Sequence, residues 1–425
     1  MKVLMISLSL PPYAESQTIR SAYWIEALTR KGFEFDLITA EVTPTFADYT
    51  LYELIPGSVR VWRTPMPAYF RRLDALKRQC KEWQVYLYSN LAYRLYAPDP
   101  YCGWERDALR LARLVLQKYQ PDIILSASGS CRAHLAAAVL KRETGLPWVA
   151  DLGDPWSWVD WSRIDTWIKA IQNSWLERRT LPLADLLIWT TESVQRAYQR
   201  WWGNRLPSSI VIPYGYRRAD FEGCVWRPAS EPIRLVYVGT ASRRERNLIP
   251  VIECFARKRS GLSLWLQIVG NTSKHFRIAA QKLGVSAIEF IGPVSYRDSI
   301  RFICEAGILL LIGNKSPYQI PGKTFLYLAS GRPILYLRQI AKEEHDPTWW
   351  LLKPFPGVRC MPNRVEALTD FFNRLSEEEF RLWEQQARDH PKMPELMRFE
   401  QDSLAGLLAK RFCELVCEEP CSLSE

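Results

Sequence analysis

The chain has 425 residues, 48% of them hydrophobic and 24% charged, and a formal net charge of +10. That length exceeds one compact core, so two domains are expected, and the composition excludes a disordered or low-complexity chain. The positive balance suits phosphorylated ligands or an anionic membrane; it does not favour nucleic acid, because the basic residues are spread through helical segments instead of forming one tail.

Residues 3–10 form an apolar run that ends at Pro11 and Pro12. One basic residue precedes it and no small-residue cleavage pattern follows, so it reads as a core strand and not as a secretory leader. The spacing of Ile19, Ala22, Tyr23, Ile25, Ala27 and Leu28 predicts a helix over 19–31 that stops at Gly32, and 33–39 is the next strand. A basic and aromatic cluster follows, in which Arg71, Arg72, Lys77, Arg78 and Lys81 interleave with Tyr69, Phe70, Trp83, Tyr86 and Tyr88. It fits either a helix resting on an anionic membrane or a solvated helix with an aromatic core face. Helices are then expected over 107–118, 133–144, 164–181 and 193–202, with strands at 122–126, 148–151 and 186–190 between them. Residues 206–232 read as a last strand and linker. A second series has strands at 234–238, 263–269, 288–291, 307–312 and 333–336, and helices at 248–258, 275–283, 296–305 and 324–330. From 364 the chain is helical, and 404–416 is an amphipathic last helix.

Such alternation marks parallel sheets covered on both faces, so the expected class is α/β with two Rossmann-like domains facing across a cleft. The expected boundaries are 1–205 for the first domain, joined by a C-terminal helix at about 395–418, then 233–394 for the second, with 419–425 as a tail. The longest aliphatic stretch, 306–313, falls well short of the roughly 20 residues that span a bilayer. Ten scattered cysteines form no disulfide framework, which points to a reducing compartment. Cys413, Cys417 and Cys421 share a helical spacing but lack a fourth ligand, and no metal site is expected.

In open parallel sheets ligands lie beyond the carboxyl ends of the strands. After strand 234–238 come Gly239, Thr240, Arg243, Arg244 and Arg246: glycine admits a close ligand, and the arginines suit a pair of phosphates. After strand 307–312 a loop runs through Pro321, Gly322 and Lys323 into a helix at Thr324, offering an anion backbone N–H groups and an ammonium. Together the two loops describe a diphosphate site, although neither is a Walker or dinucleotide fingerprint. In the first domain, Asp151 and Asp154 stand at a strand end, where they either meet a polar ligand or cap the next segment. The loop carrying Ser126, Ser128 and Ser130 either cradles an anion or hydroxyl or caps the helix after it; His134 reads as structural. No metalloprotease, paired-cysteine, nucleophile-elbow or serine-triad pattern is present.

In this order, several motifs resemble the family-4 glycosyltransferases, retaining enzymes of the two-Rossmann-domain GT-B architecture, and within them the bacterial surface-polysaccharide branch. The carriers are Pro11 and Pro12 with Arg20; Pro98, Asp99 and Trp104 leading to Pro121; the stretch from Asp151 through Asp154 to Trp156; Ile212 to Gly215; Gly239 with Arg246 and Asn247; Gly270; Gly292 and Pro293; and the run from Pro321 to Leu335. The resemblance implies that Arg246, Lys323 and the Gly239 loop, with Thr240 and Arg243, hold the diphosphate of a nucleotide sugar and stabilise its departure without a metal. Gly292 and Pro293 would lie near the base, and Pro321, Gly322 and Thr324 near the sugar or phosphate. Ser128, Asp154, Arg20, Asp151 and Trp156 would face the acceptor, with Ser128 and Asp154 closest to the chemistry. The last helix would pack back on the first domain.

The implied reaction moves a sugar from a nucleotide-diphosphate donor to a glycan or lipid-linked acceptor, with retention, in polysaccharide or glycolipid synthesis. Its setting would be the cytoplasm or the inner membrane face. The donor is a co-substrate, and no cofactor or nucleic-acid partner is implied. The chain departs from the family where the paired glutamates fall at Tyr318 and Leu326, since leucine accepts no hydrogen bond from a ribose. The turn after the first strand has Ala14, Glu15, Ser16 and Gln17 in place of glycines, and serines replace the expected histidine after strand 122–126. Gly153 and Tyr214 stand where arginine and asparagine are common. These departures leave open a second reading, a catalytically inactive binding or scaffold protein of the same fold, and a third, a sugar-nucleotide epimerase.

Overall fold

A computed structural model describes residues 1–42, 47–157 and 167–417. Its contacts divide the chain into two units, Met1–Pro213 with the segment from Leu404, and Tyr214–Ser403. In chain order the first contains β1 (Lys2–Ile6), α1 (Ser16–Arg30), β2 (Glu34–Ala40), β3 (Arg60–Thr64), α2 (Ala68–Gln79), α3 (Glu82–Leu95), α4 (Trp104–Tyr119), β4 (Ile123–Ala127), α5 (Arg132–Thr144), β5 (Trp148–Leu152), α6 (Trp167–Thr180), β6 (Leu186–Trp189), α7 (Glu192–Trp202) and β7 (Ser208–Val211). The second contains β8 (Ile233–Val238), α8 (Ile249–Arg257), β9 (Leu264–Val269), α9 (Lys274–Lys282), β10 (Ile288–Gly292), α10 (Tyr296–Cys304), β11 (Ile308–Ile312), α11 (Lys323–Ala329), β12 (Ile334–Arg338), α12 (Pro347–Leu352), β13 (Val358–Pro362), α13 (Val365–Arg374), α14 (Glu377–Arg388) and α15 (Pro394–Met397). The last helix, α16 (Gln401–Val416), returns to the first unit.

The first sheet has seven strands in the order β3-β2-β1-β4-β5-β6-β7, and the second has six in the order β10-β9-β8-β11-β12-β13. All their named pairings are parallel. The central strands are apolar on both sides because both sides are covered. In β11, Ile308, Leu310 and Ile312 enter one core and Leu309 and Leu311 the other. In the first unit, α16 covers part of the sheet: Leu404, Ala405, Leu408, Ala409 and Phe412 join Val3, Met5, Trp24, Leu28 and Phe35 in one core. Leu408 and Phe412 are fully buried, and truncating Phe412 to alanine is expected to cost about 3–5 kcal/mol.

Three features differ from the sequence reading. The basic and aromatic cluster is two helices, α2 and α3, which break at Cys80 and Lys81. Tyr69 and Phe70 are core residues, whereas Trp83 and Tyr86 are exposed. Two strands, β3 and β13, are additional, and each lies at a sheet edge. Cys224 and Cys304 form a disulfide within the second unit; they lie 80 residues apart in sequence, and the fold brings their Cα atoms to 5.7 Å. Cys413 and Cys417 are free, Cys421 lies outside the described residues, and no group of metal ligands occurs among those described. No described helix is long and apolar enough to cross a membrane. The start of the helix expected at 164 also falls outside the described residues.

Candidate functional site

Each sheet reverses its direction of growth at its first strand. The reversal lies between β1 and β4 in one unit and between β8 and β11 in the other, which places the loops after these strands at the ligand crevice of each sheet.

In the second unit β8 leaves the sheet through Gly239 at φ +124°, a conformation open to glycine, and a Cβ here would stand 3.6 Å from Lys323 Nζ. Gly270 closes β9 at φ +117°, and a Cβ there would meet the Gly239 carbonyl oxygen at 2.5 Å, so the two strand ends approach backbone to backbone. Lys323 opens α11 and donates to the Val238 carbonyl at 2.8 Å. Its Nζ lies 3.8 Å from the centre of the Tyr237 ring. Burial of the ammonium and then the charge of Arg246 push its pKa well below the ordinary lysine range. Tyr237 donates its hydroxyl to the Thr240 carbonyl at 2.8 Å, and Tyr327 accepts the Val238 N–H at 3.0 Å, so both rings are fixed around the lysine.

Arg246 donates to Asn314 Oδ1 at 2.9 Å, which joins the loop after β8 to the loop after β11. The Gln339 side-chain amide donates to the carbonyls of Glu245 and Gly313 and ties the same two loops. Arg246 Nε and Thr324 Oγ1 are buried without a hydrogen-bond partner among the described residues. A buried donor without an acceptor costs about 1–3 kcal/mol, and a bound anion would remove that cost at both positions. The crevice thus gathers a guanidinium, an ammonium and a hydroxyl.

The turn at Pro321 and Gly322 is partly closed by its own hydrogen bonds. The N–H groups of Thr324 and Phe325 already donate to the carbonyls of Pro321 and Gly322, because the first turn closes on itself. Those two amides are therefore already used within the turn. Gly322 packs closely, and a Cβ there would stand 3.2 Å from the Tyr214 ring. Thr240 and Arg243 are exposed on the β8 loop. Gly292, at φ +89°, and Pro293 close β10, which β9 separates from β8. Leu326 is half-buried against the core beneath α11.

The crevice of the first unit has other chemistry. Arg20 and Asp151 form an ion pair with Arg20 Nη2 to Asp151 Oδ1 at 3.1 Å, both side chains almost fully buried. Gln17 also donates to Asp151, and Arg20 donates to the carbonyls of Ile212 and Pro213, each at 2.7 Å. Expected to meet an acceptor, Arg20 and Asp151 are instead saturated by the protein and position α1, β5 and the end of β7. Ser128 and Ser126 hydrogen-bond the two ring nitrogens of His134 at 2.9 and 2.8 Å. That ring is fully buried, and burial lowers its pKa to about 3, so it stays neutral. His134 is structural, as its place in the helix pattern implied, and it also fixes Ser128.

Asp154 is exposed, while Trp156 is buried with its indole N–H unpartnered among the described residues. Glu15, noticed in the sequence only as a substitute for glycine, hydrogen-bonds Ser9. Desolvation raises its pKa to about 7, with the charge of Asp154 adding to the rise. Gly129, at φ +141°, lets the loop pass this pair: a Cβ there would overlap Ser9 Oγ, at 1.6 Å. Glu15 and Asn314 left little sequence signal, because a lone polar residue in a loop shows its role only when the fold supplies its neighbours.

Two parallel-sheet Rossmann-like units, with the last helix returned to the first, define the GT-B fold. Residues 17–215 match the family described as Glycosyl transferase 4-like domain. No curated protein matches the chain by sequence. Among solved structures, the chain is similar to a sucrose-phosphate synthase from Thermosynechococcus elongatus, with a TM-score of 0.68, 16% identity and coverage of 98% of this chain and 100% of that one. It is also similar to Anabaena HepE in complex with UDP-glucose, with a TM-score of 0.63, 14% identity and coverage of 97% and 100%. A UDP-GlcNAc 2-epimerase from Neisseria meningitidis bound to UDP-GlcNAc gives a TM-score of 0.54 at 14% identity, covering 97% and 100%. At these identities the likeness establishes the fold.

Proposed function

We propose that the chain is a hexosyltransferase that draws its sugar from a nucleotide-diphosphate donor, binds the diphosphate in its second unit, and serves surface polysaccharide or glycolipid synthesis. The observation that carries this reading is the pair of unpartnered buried groups, Arg246 Nε and Thr324 Oγ1, beside the enclosed ammonium of Lys323 at the β8/β11 crevice. Negative charge grows on the diphosphate as the sugar–oxygen bond breaks. A fixed guanidinium and ammonium lower the energy of that state more than that of the intact donor. An anion also favours protonated Lys323, so donor binding completes the charge of the site. The acceptor, a glycan or lipid-linked hydroxyl, is assigned to the first unit, where Ser128 and Asp154 supply polar contacts. Retention follows if this hydroxyl attacks the face that the diphosphate leaves, a step that needs neither protein nucleophile nor metal. The complexes of HepE with UDP-glucose and of the epimerase with UDP-GlcNAc support a uridine diphosphate sugar as the first donor to try.

The test is calorimetric titration of UDP and UDP-glucose into wild type, Arg246→Ala and Lys323→Met. Binding by wild type and its loss in both variants is the expected result; absence of binding to any of a panel of nucleotide sugars overturns the reading. Product NMR then reads the anomeric configuration, and turnover in the presence of a chelator reads the metal requirement.

Leu326 favours a second reading, a binding protein without catalysis, because no carboxylate stands at the position implied for gripping the donor ribose. Nucleotide-sugar binding without transfer or hydrolysis would select it. Conversion of the free nucleotide sugar without an acceptor would instead identify an epimerase.

A further inference from the structure

The α2–α3–α6 region of the first unit exposes far more apolar surface than its neighbours. On α3, Trp83, Leu87, Leu91 and Leu95 recur every fourth residue and form one outward stripe, with Trp83 61% exposed and Leu91 51% exposed. On α6, Trp167, Ile171 and Trp175 repeat the same spacing, with exposures of 73%, 59% and 52%. The two helices are neighbours: Lys169 of α6 is buried, donates to the Tyr93 carbonyl of α3, and lies 5.7 Å from the Tyr93 ring centre. Their inner faces are already used. Tyr69 of α2 stacks on Tyr88 and hydrogen-bonds Ser89 of α3, while Asn173 and Glu177 of α6 are buried. The outward stripes are therefore not core residues left loose. Contiguous exposed apolar surface of this kind marks an interaction site.

The charges around the stripes indicate the partner. Every described, exposed charged side chain on α2, α3 and α6 is a cation, among them Arg71, Arg72, Lys77, Arg78, Arg178 and Arg179. Asp74 and Glu177 on these helices are buried. Arg179 lies 4.4 Å from the ring of Trp175, and Arg178 lies 5.7 Å from that of Trp201. A second copy of the chain is a poor occupant, because a twofold contact would set this positive rim against itself. An anionic bilayer suits every element: aliphatic side chains enter the acyl boundary, indoles lie at headgroup depth, and cations meet lipid phosphates. The stripe from Trp83 to Leu95 runs about 18 Å along its helix, a length suited to lying in the interface plane and not to crossing it.

We propose that the outward stripes of α3 and α6 together form a docking face for an anionic lipid bilayer. This places the surface beyond the cluster legible in the sequence. The aromatic residues of α2 face the core, and α6, which the cluster did not include, supplies half of the apolar contact.

The experiment is co-sedimentation of the full chain with vesicles of phosphatidylcholine alone and mixed with phosphatidylglycerol, at low and high salt. It compares wild type with a double variant on each helix, Trp83→Gln with Leu87→Gln and Trp167→Gln with Ile171→Gln. All four positions are exposed, so both variants should melt as wild type does. The expected result is binding to the mixed vesicles that weakens with salt and falls at least tenfold in either variant. Four results each overturn the proposal: no binding to either vesicle, equal binding to both, full binding by the α6 variant, or a salt-sensitive dimer in sedimentation equilibrium that the variants dissolve. Nucleotide titration of the same samples reports the donor site separately, so loss of vesicle binding with intact nucleotide binding is read without ambiguity.

Discussion

The two strand-end crevices have the same topology and opposite chemistry. At β8/β11 the loops present cations, and two buried polar atoms there lack partners. At β1/β4 the buried guanidinium is matched: Arg20 is paired with Asp151 and capped by two carbonyls, His134 is neutral between two serines, and Glu15 lies beside Asp154 with its pKa raised by desolvation. An incomplete cationic site is poised for an anion and gains most when one arrives. At the first crevice the buried guanidinium is already bound to Asp151, so that pair gains little from a charged ligand. The difference is the ground for the proposal that the diphosphate binds the second unit and the acceptor the first, although the two sheets grow in the same order up to their sixth strand.

The comparison breaks most sharply at the buried ion pair. Arg20→Met leaves the Asp151 carboxylate buried without its cation, and urea unfolding should show a loss of about 3–5 kcal/mol. Asp151→Leu added to Arg20→Met should recover much of it; no recovery would mean that the carbonyl contacts of Arg20 dominate. At the other crevice, Arg246→Ala should lower transfer by about 100- to 1000-fold with little change in melting. Ser128→Ala should leave nucleotide titration unchanged, and equal losses of nucleotide binding in both variants would erase the distinction drawn between the crevices.

A smaller effect is expected at His134. Its replacement by alanine removes the ring partner of two buried serine hydroxyls, of which Ser126 keeps the Trp148 indole N–H, and should cost about 1–3 kcal/mol. Because the ring is already neutral above about pH 3, the loss should be the same in mildly acidic and mildly basic buffer.

Two pH measurements sharpen the contrast further. A bound diphosphate opposes the lowering of the Lys323 pKa, so at any pH where the free amine is deprotonated, binding takes up a proton and strengthens as pH falls. Titration in buffers of different ionisation enthalpy checks this, and Lys323→Met should abolish the uptake. Glu15 has the opposite sign of shift: its folded pKa of about 7 lies above the ordinary value of 4.5, so folding favours the protonated form. Its stabilising contribution is complete below about pH 4.5 and is lost as pH rises through about 7. Glu15→Gln should therefore be the more stable form in basic buffer. A shallow residual slope should remain from Glu177, which burial also raises to about 7.

Much of this molecule was legible in the chain itself. A central strand such as β11 is a continuous apolar run, Ile308 to Ile312, because both of its faces are covered. Gly239, which ends β8, announced the crevice of the second unit through the backbone freedom required there. The edge strands β3 and β13 were not legible: half exposed, and carrying Arg60, Arg63 and Arg359, they lack the apolar run and alternate too briefly to stand out.

Local pattern therefore determined the class of fold, the order of its buried strands and the loops that carry the cations, since those depend on which faces of an element meet water. Tertiary structure alone decided which charges are matched and which stand open. The pairing of Arg20 with Asp151, of Arg246 with Asn314, of Cys224 with Cys304, and the meeting of α3 with α6 all join residues far apart in the chain. Partnership of that kind is a matter of distance, and distance between remote residues exists only once the sheets have formed.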